Sequence, residues 1–159
     1  MSSLFSDTIA ALATPVNKSA ISIIRISGDE AHAIAHELCP NLPKKPQLRY
    51  IYNTDIFDPN TKKLIDHVCI AFFKSPASYT GEDLIEIHCH ASNFVVKTIL
   101  YLAISFNHCR LAIEGEFTKR AFINGKLDLT KAESIMDLIE SDTSTQHEVA
   151  LSHYKGHLF

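Results

Sequence analysis

The stretch Ala20-Ile21-Ser22-Ile23-Ile24-Arg25-Ile26-Ser27 constrains the fold more than any other. Branched side chains lose rotamer freedom in a helix and pack well on a pleated sheet. The run is almost continuously apolar, so it reads as a strand covered on both faces. Arg25 interrupts it. At period two Arg25 shares a face with Ile21 and Ile23. Burying an unpaired guanidinium is costly, so this position demands an acceptor.

The pattern around that strand is mixed. Ser27 with Glu30 reads as a capping box, and Ala31, Ile34, Ala35 and Leu38 follow at helical spacing. Pro40, Pro43 and Pro46 end that helix. Strands are predicted near 48–57 and 64–73, forming an antiparallel hairpin around Asp58-Pro59-Asn60. A loop over 74–82 leads to a strand at 83–90, an amphipathic helix at 93–106 and a short strand at 109–113. After Gly115 the pattern turns helical. A helix over 117–123 ends with Gly125 just past it. Thr130 with Glu133, and Thr145 with Glu148, read as further capping boxes. Ala132, Ile135, Met136 and Ile139 would form an apolar face. The expected division is an α+β domain over 1–115 and the first helices of a helical domain over 116–159.

The 159 residues suit one domain, or one domain and part of another. Apolar content of 46% and charged content of 21% are ordinary for a globular protein with a sizeable core. No apolar run approaches the ~20 residues that span a bilayer. Residues Met1 to Ser6 carry neither a basic segment nor a long apolar one, so a cytoplasmic protein is expected. Cys39, Cys69, Cys89 and Cys109 form no CxxC pair and read as reduced thiols. The net charge of −3 argues against binding nucleic acid through an overall field. A local basic patch of Lys119, Arg120, Lys126 and Lys131 is an alternative to a plain solvated helix surface.

Glu86 poses the same question as Arg25. Leu84, Glu86 and His88 share one strand face, and Ile85, Ile87 and Cys89 the other. Arg25 and Glu86 could simply pair. Alternatively Glu86 could accept two hydrogen bonds from a ligand with parallel N–H donors. His88-Cys89-His90 cannot converge on one metal, because its side chains alternate in direction, and no second cluster has ligand spacing. His153 and His157 stand at helical spacing but read as an exposed polar face. A Cys–His nucleophile pair has no third residue to support it. No GxxxxGK[ST] loop is present, and Gly125-Lys126 lacks the upstream glycine, so this chain is not expected to hydrolyse GTP.

Four segments carry a family resemblance. They are Asp7-Thr8-Ile9-Ala10-Ala11-Leu12-Ala13-Thr14-Pro15, Ala20 to Gly28, Ser78-Tyr79-Thr80-Gly81-Glu82-Asp83-Leu84-Ile85-Glu86-Ile87-His88-Cys89-His90, and Gly115-Glu116-Phe117-Thr118-Lys119-Arg120-Ala121-Phe122-Ile123-Asn124-Gly125-Lys126-Leu127-Asp128-Leu129. In this order they resemble the N-terminal region of the tRNA modification GTPases called TrmE or MnmE. The likeness is weakest between 30 and 77.

The resemblance implies an α+β fold similar to the folate-binding domain of the glycine-cleavage T-protein. A mixed, largely antiparallel sheet would carry helices on one side, followed by a short all-α segment. It implies a homodimer that binds 5-formyl-tetrahydrofolate or a related tetrahydrofolate, with the family's folate contacts falling on Arg25, Glu86 and Lys126. It also implies that potassium, GTP and magnesium belong to a G domain absent from this chain. The full-length protein would work with a flavin-dependent GidA/MnmG-type partner on the wobble uridine, U34, of tRNA, and this chain would be its N-terminal fragment.

Three positions depart from the family pattern. Ala91-Ser92 replaces a Gly-Gly pair, Asn17-Lys18-Ser19 replaces G-(K/R)-G, and Glu114 replaces a proline. Lost glycines remove backbone freedom and could reshape the pocket. Two rival readings follow. One is a purely structural dimerisation domain with a degraded folate pocket. The other is a folate-dependent one-carbon transferase using Glu82, Asp83 or His88.

Overall fold

The computed structural model describes residues 5, 7–15 and 19–156. Six strands form one sheet, β1 (Thr8–Leu12), β2 (Ile21–Ser27), β3 (Tyr52–Phe57), β4 (Leu64–Phe73), β5 (Leu84–His90) and β6 (Cys109–Leu111). Their order across the sheet is β3-β4-β5-β2-β1-β6. Neighbours run antiparallel except β1 and β6, which are parallel. The helices are α1 (Ala31–Leu38), α2 (Asn93–Ile104), α3 (Glu116–Ile123), α4 (Leu129–Glu140) and α5 (Ser144–Gly156). This is the expected mixed, largely antiparallel α+β fold.

One face of the sheet is dry. Ile24 and Ile26 of β2, Ile85 and Ile87 of β5, and Val68, Ile70 and Phe72 of β4 pack beneath Ile34 and Leu38 of α1 and Ile99 and Leu102 of α2. Each such side chain contributes about 1.5–3 kcal/mol through burial. The other face is covered only in part. Ile21 is 55% exposed, and Ile23 and Arg25 are half-buried, so β2 is not enclosed on both sides as its composition suggested. An isoleucine-rich strand in the middle of a sheet needs only one deep face when an arginine and its partners occupy the other.

Several expected caps fall elsewhere. Ser27 is the last residue of β2, and its hydroxyl contacts Thr80 and Glu82 rather than a helix amide. The residue preceding α1 is Glu30, which makes no side-chain cap; its own amide donates to the Thr8 hydroxyl at 2.9 Å. Asp128, not Thr130, caps α4 by accepting from the Lys131 amide at 2.6 Å. At α5 the Thr143 hydroxyl, not that of Thr145, accepts from the Gln146 amide. Sequence spacing located each helix start within a few residues, but neighbouring polar side chains competed for the same amides. Gly125 stands just past α3 with φ 75°, as its position predicted. The apolar face expected on α4 is largely bare, with Met136 52% and Ile139 71% exposed.

Strand β1 was not foreseen as a strand. Its alanines have little intrinsic β preference, and it exists because β2 and β6 flank it. Gly28 makes that packing possible. It adopts φ 138°, and a Cβ there would lie 2.5 Å from the Thr8 hydroxyl oxygen. Asn17, Lys18 and His157 lie outside the described residues.

Candidate functional site

Strands β2 and β5 pair so that Arg25 and Glu86 stand directly opposite each other. Nη2 of Arg25 donates to Oε1 of Glu86 at 3.1 Å. The second oxygen of Glu86 lies 3.6 Å from Nε2 of His88, two residues along the same face. Both members of the ion pair are only about a quarter exposed, with side-chain values of 26% and 24%. Nε of Arg25 is buried and has no hydrogen-bond partner. A buried donor of this kind asks for an acceptor.

Two aromatic rings enclose the guanidinium. The Tyr79 ring centre is 5.5 Å from Arg25 Cζ and that of Phe117 is 5.8 Å. Tyr79 comes from the loop before β5 and Phe117 from the first turn of α3. The Tyr79 and Thr118 hydroxyls join these elements at 2.9 Å. Between them lies a pocket of about 330 Å³, lined by Arg25, Tyr79, Phe117, Thr118, residues 11–13 of β1 and its exit, and residues 112–115. That volume is at the small end of ligand sites.

Lys126 stands beside this arrangement rather than within it. Its amide closes α3 by donating to the Ala121 carbonyl. Its stem runs past Gly81, where an added Cβ would meet Lys126 Cγ at 3.3 Å. The structure therefore brings Arg25 and Glu86 into contact and sets Lys126, exposed, beside Gly81 in the loop before β5. Of the departures from the family pattern, Glu114 lines the Arg25 pocket. Ala91 and Ser92 line a separate cavity of about 200 Å³ with Leu12, Ser22 and Leu100. Ser92 also caps α2 by accepting from the Val95 amide.

A buried charge network that sequence reading missed holds this site in shape. Arg120 of α3 has a relative exposure of 0%. It donates to both carboxylate oxygens of Glu82, at 3.1 and 3.2 Å, and to the backbone and side chain of Asp7. Arg110 of β6 binds Glu116 through two nitrogens and Asp7 through a third. Burial works to raise the Asp7 carboxyl, but the guanidinium groups of Arg110 and Arg120 outweigh it and hold it below the usual range. Hydrogen bonding from Arg110 drives Glu116 down to about 2, against the opposing effect of burial. The i, i+4 spacing of Glu116 and Arg120 was the available signal. The expected surface patch around Arg120 is thus an internal tie between α3 and the sheet. Glu82 belongs to this tie, which removes it as a free acid or base for transfer chemistry. Asp83 is likewise engaged, accepting from the Ser75 amide.

Among the described residues no three His, Cys, Asp or Glu side chains are gathered to hold a metal ion. No helix among them is long and apolar enough to cross a membrane.

Comparison with known proteins adds an independent line. The family model described as "GTP-binding protein TrmE N-terminus" matches residues 8–126. A tRNA modification GTPase MnmE of Syntrophus aciditrophicus is 46% identical over 159 residues, covering 98% of this chain and 34% of that protein. Proteins of the same name from Lactobacillus gasseri and Clostridioides difficile are 43% and 45% identical over 154 residues, each covering 96% of this chain and 33% of their own length. The chain spans about a third of the length of these curated relatives.

Proposed function

This chain belongs to the TrmE/MnmE family and corresponds to its N-terminal region, and on that premise we propose that it is the folate-binding and homodimerising module of a tRNA modification GTPase. The observation that carries the reading is the Arg25–Glu86 pair beside a pocket walled by Tyr79 and Phe117. A pterin presents a ring N–H next to an exocyclic amine, two parallel donors that a carboxylate accepts. Glu86 suits that edge, and flat aromatic walls suit a planar ring. The unpartnered Nε of Arg25 and the ammonium of Lys126 suit the carbonyl and carboxylate oxygens of the rest of a folate. The pocket takes a ring system rather than a whole folate, so the tail would run along the rim. Bound there, 5-formyl-tetrahydrofolate would supply a one-carbon unit, while Arg25, Glu86 and Lys126 bind and orient it.

In this reading GTP, magnesium and potassium act in the part of the relatives' length that this chain does not span. The flavin-dependent GidA/MnmG-type partner and the wobble uridine of tRNA are met by the whole assembly, in the cytoplasm.

Calorimetric titration with 5-formyl-tetrahydrofolate, with the mass in solution followed by light scattering, tests the proposal. Saturable binding to a dimer is expected. Glu86→Gln should weaken it at least tenfold, as loss of a charge-assisted hydrogen-bond pair implies, while leaving a dimer. A purely structural role draws on the same ion pair, since Arg25 and Glu86 satisfy each other. Under that reading wild-type protein does not bind folate and Glu86→Gln lowers only the unfolding midpoint.

A further inference from the structure

The four cations weighed as a basic patch on α3 and α4 do not gather into one, because Arg120 is buried and Lys131 Nζ lies 5.2 Å from the Tyr154 ring centre. Positive charge gathers instead on the connection between α1 and β3. Residues 40–51 contain Lys44, Lys45 and Arg49 and no acidic residue, within a chain of net charge −3. All three cations are exposed. Lys74, just past the end of β4, is exposed as well. Interleaved with them, Leu48 is 44%, Tyr50 49% and Ile51 63% exposed. Glu37 and Asp58 line a groove at the Pro40–Asn41 end together with Lys62, and none of Lys44, Lys45 and Arg49 lines it.

This strap is a built element. Leu42 is buried against the core. The Gln47 amide donates to the Tyr52 hydroxyl at 2.7 Å. The Arg49 amide donates to the Phe72 carbonyl at 2.8 Å. Arg49 itself adopts φ 59°, a left-handed conformation uncommon outside glycine, so the turn there is imposed by its surroundings. The Tyr50 ring is braced by Tyr52, with centroids 4.8 Å apart at 60°. The backbone that carries the cations, and the Tyr50 ring, are thereby set before any partner arrives, which reduces the ordering entropy of binding.

We propose that this strap is an RNA-contacting surface, in which Lys44, Lys45 and Arg49 meet phosphates and Tyr50 stacks on an unpaired base. Cations flanking an exposed ring are what single-stranded or looped nucleic acid recognises. A paired duplex would use the cations alone, and an acidic membrane would use the cations together with Leu48 and Ile51, so both serve as competitors in the test. The choice of RNA over DNA rests on the tRNA reading above; the surface itself does not depend on the folate site.

Fluorescence anisotropy of a labelled RNA hairpin with an unpaired loop provides the test. A fully paired duplex and anionic vesicles serve as competitors. Wild-type chain should bind the hairpin, with affinity falling between ~50 and ~200 mM salt as phosphate contacts require. Lys44→Glu with Lys45→Glu should weaken binding at least tenfold. Tyr50→Ala should weaken it by about tenfold, as loss of one stacked base implies. Lys119→Glu should leave it unchanged. Urea midpoints of the strap variants should match wild type. The proposal is overturned by no binding at low salt, by indifference to the Lys44 and Lys45 reversals, or by duplex or vesicles competing as well as the hairpin. Folate titration of the same variants separates the two readings. A protein that binds RNA but not 5-formyl-tetrahydrofolate loses only the folate site.

Discussion

Glu116 accepts from two nitrogens of Arg110 and from the Ile113 amide, and these bonds bring its carboxyl from an ordinary 4.5 to about 2. A folded-state value below the unfolded one means stability present above about pH 4.5 and lost as the pH falls toward 2. The linkage is on the order of 2–3 kcal/mol, reduced by the solvent around Arg110. Urea denaturation followed from pH 5.5 down to pH 2.5 should show the midpoint fall, and Glu116→Gln should flatten that slope. Arg120 carries a larger weight. Arg120→Met leaves Glu82 buried without its cation, and should cost about 3–5 kcal/mol in the same assay; a loss below 1 kcal/mol would show that the network contributes little. The thiols offer a separate check. Burial, seconded by nearby carboxylates, pushes Cys39 up to about 12 and Cys89 and Cys109 to about 11. Cys69 alone among the four is not buried. Native protein at neutral pH should therefore give one fast equivalent with a thiol reagent, and Cys69→Ser should abolish it.

At the level of elements, the sequence was most readable where one physical signal acted alone. β2, α1, β4, β5 and α2 have strong apolar periodicity, and each appears close to its expected bounds. Caps were less readable because several Ser, Thr and Asp residues crowd the starts of α1, α4 and α5. The α4 terminus separates the rivals: Asp128→Ala should lower the stability of that helix by about 1 kcal/mol and Thr130→Ala by far less, read by hydrogen exchange of its amides. A reversed order would return the cap to Thr130. β1 was unreadable for a different reason, since its alanines take strand form only between two partners. The same dependence makes Gly28 a sensitive point. Gly28→Ala forces a side chain into Thr8 at a left-handed φ, and a loss of more than 2 kcal/mol in urea unfolding is expected.

Across the whole molecule, sheet and site depend on contacts between distant parts of the chain. The Arg25–Glu86 opposition was legible because both are charged residues on apolar strands, and a charge there needs an answer. The aromatic walls were not, since Tyr79 and Phe117 meet Arg25 only after a loop and α3 fold over the open face. α4 and α5 lie beyond that tie and bury little, among the described residues Ser134 and Ala150 alone. Removing residues 128–159 should therefore leave the unfolding midpoint of the sheet within about 0.5 kcal/mol of its original value; a larger drop would show that the helix pair supports the core. One consequence concerns the ribosome. Asp7 is separated from Arg120 by 113 residues, and β1 finds its parallel neighbour only at Cys109–Leu111. At about 5–20 residues per second, the Asp7 segment waits several seconds or more for the residues that lock it. During that interval β1 can pair only with β2, and its other edge stays open on a growing nascent chain, a natural place for a chaperone to hold it.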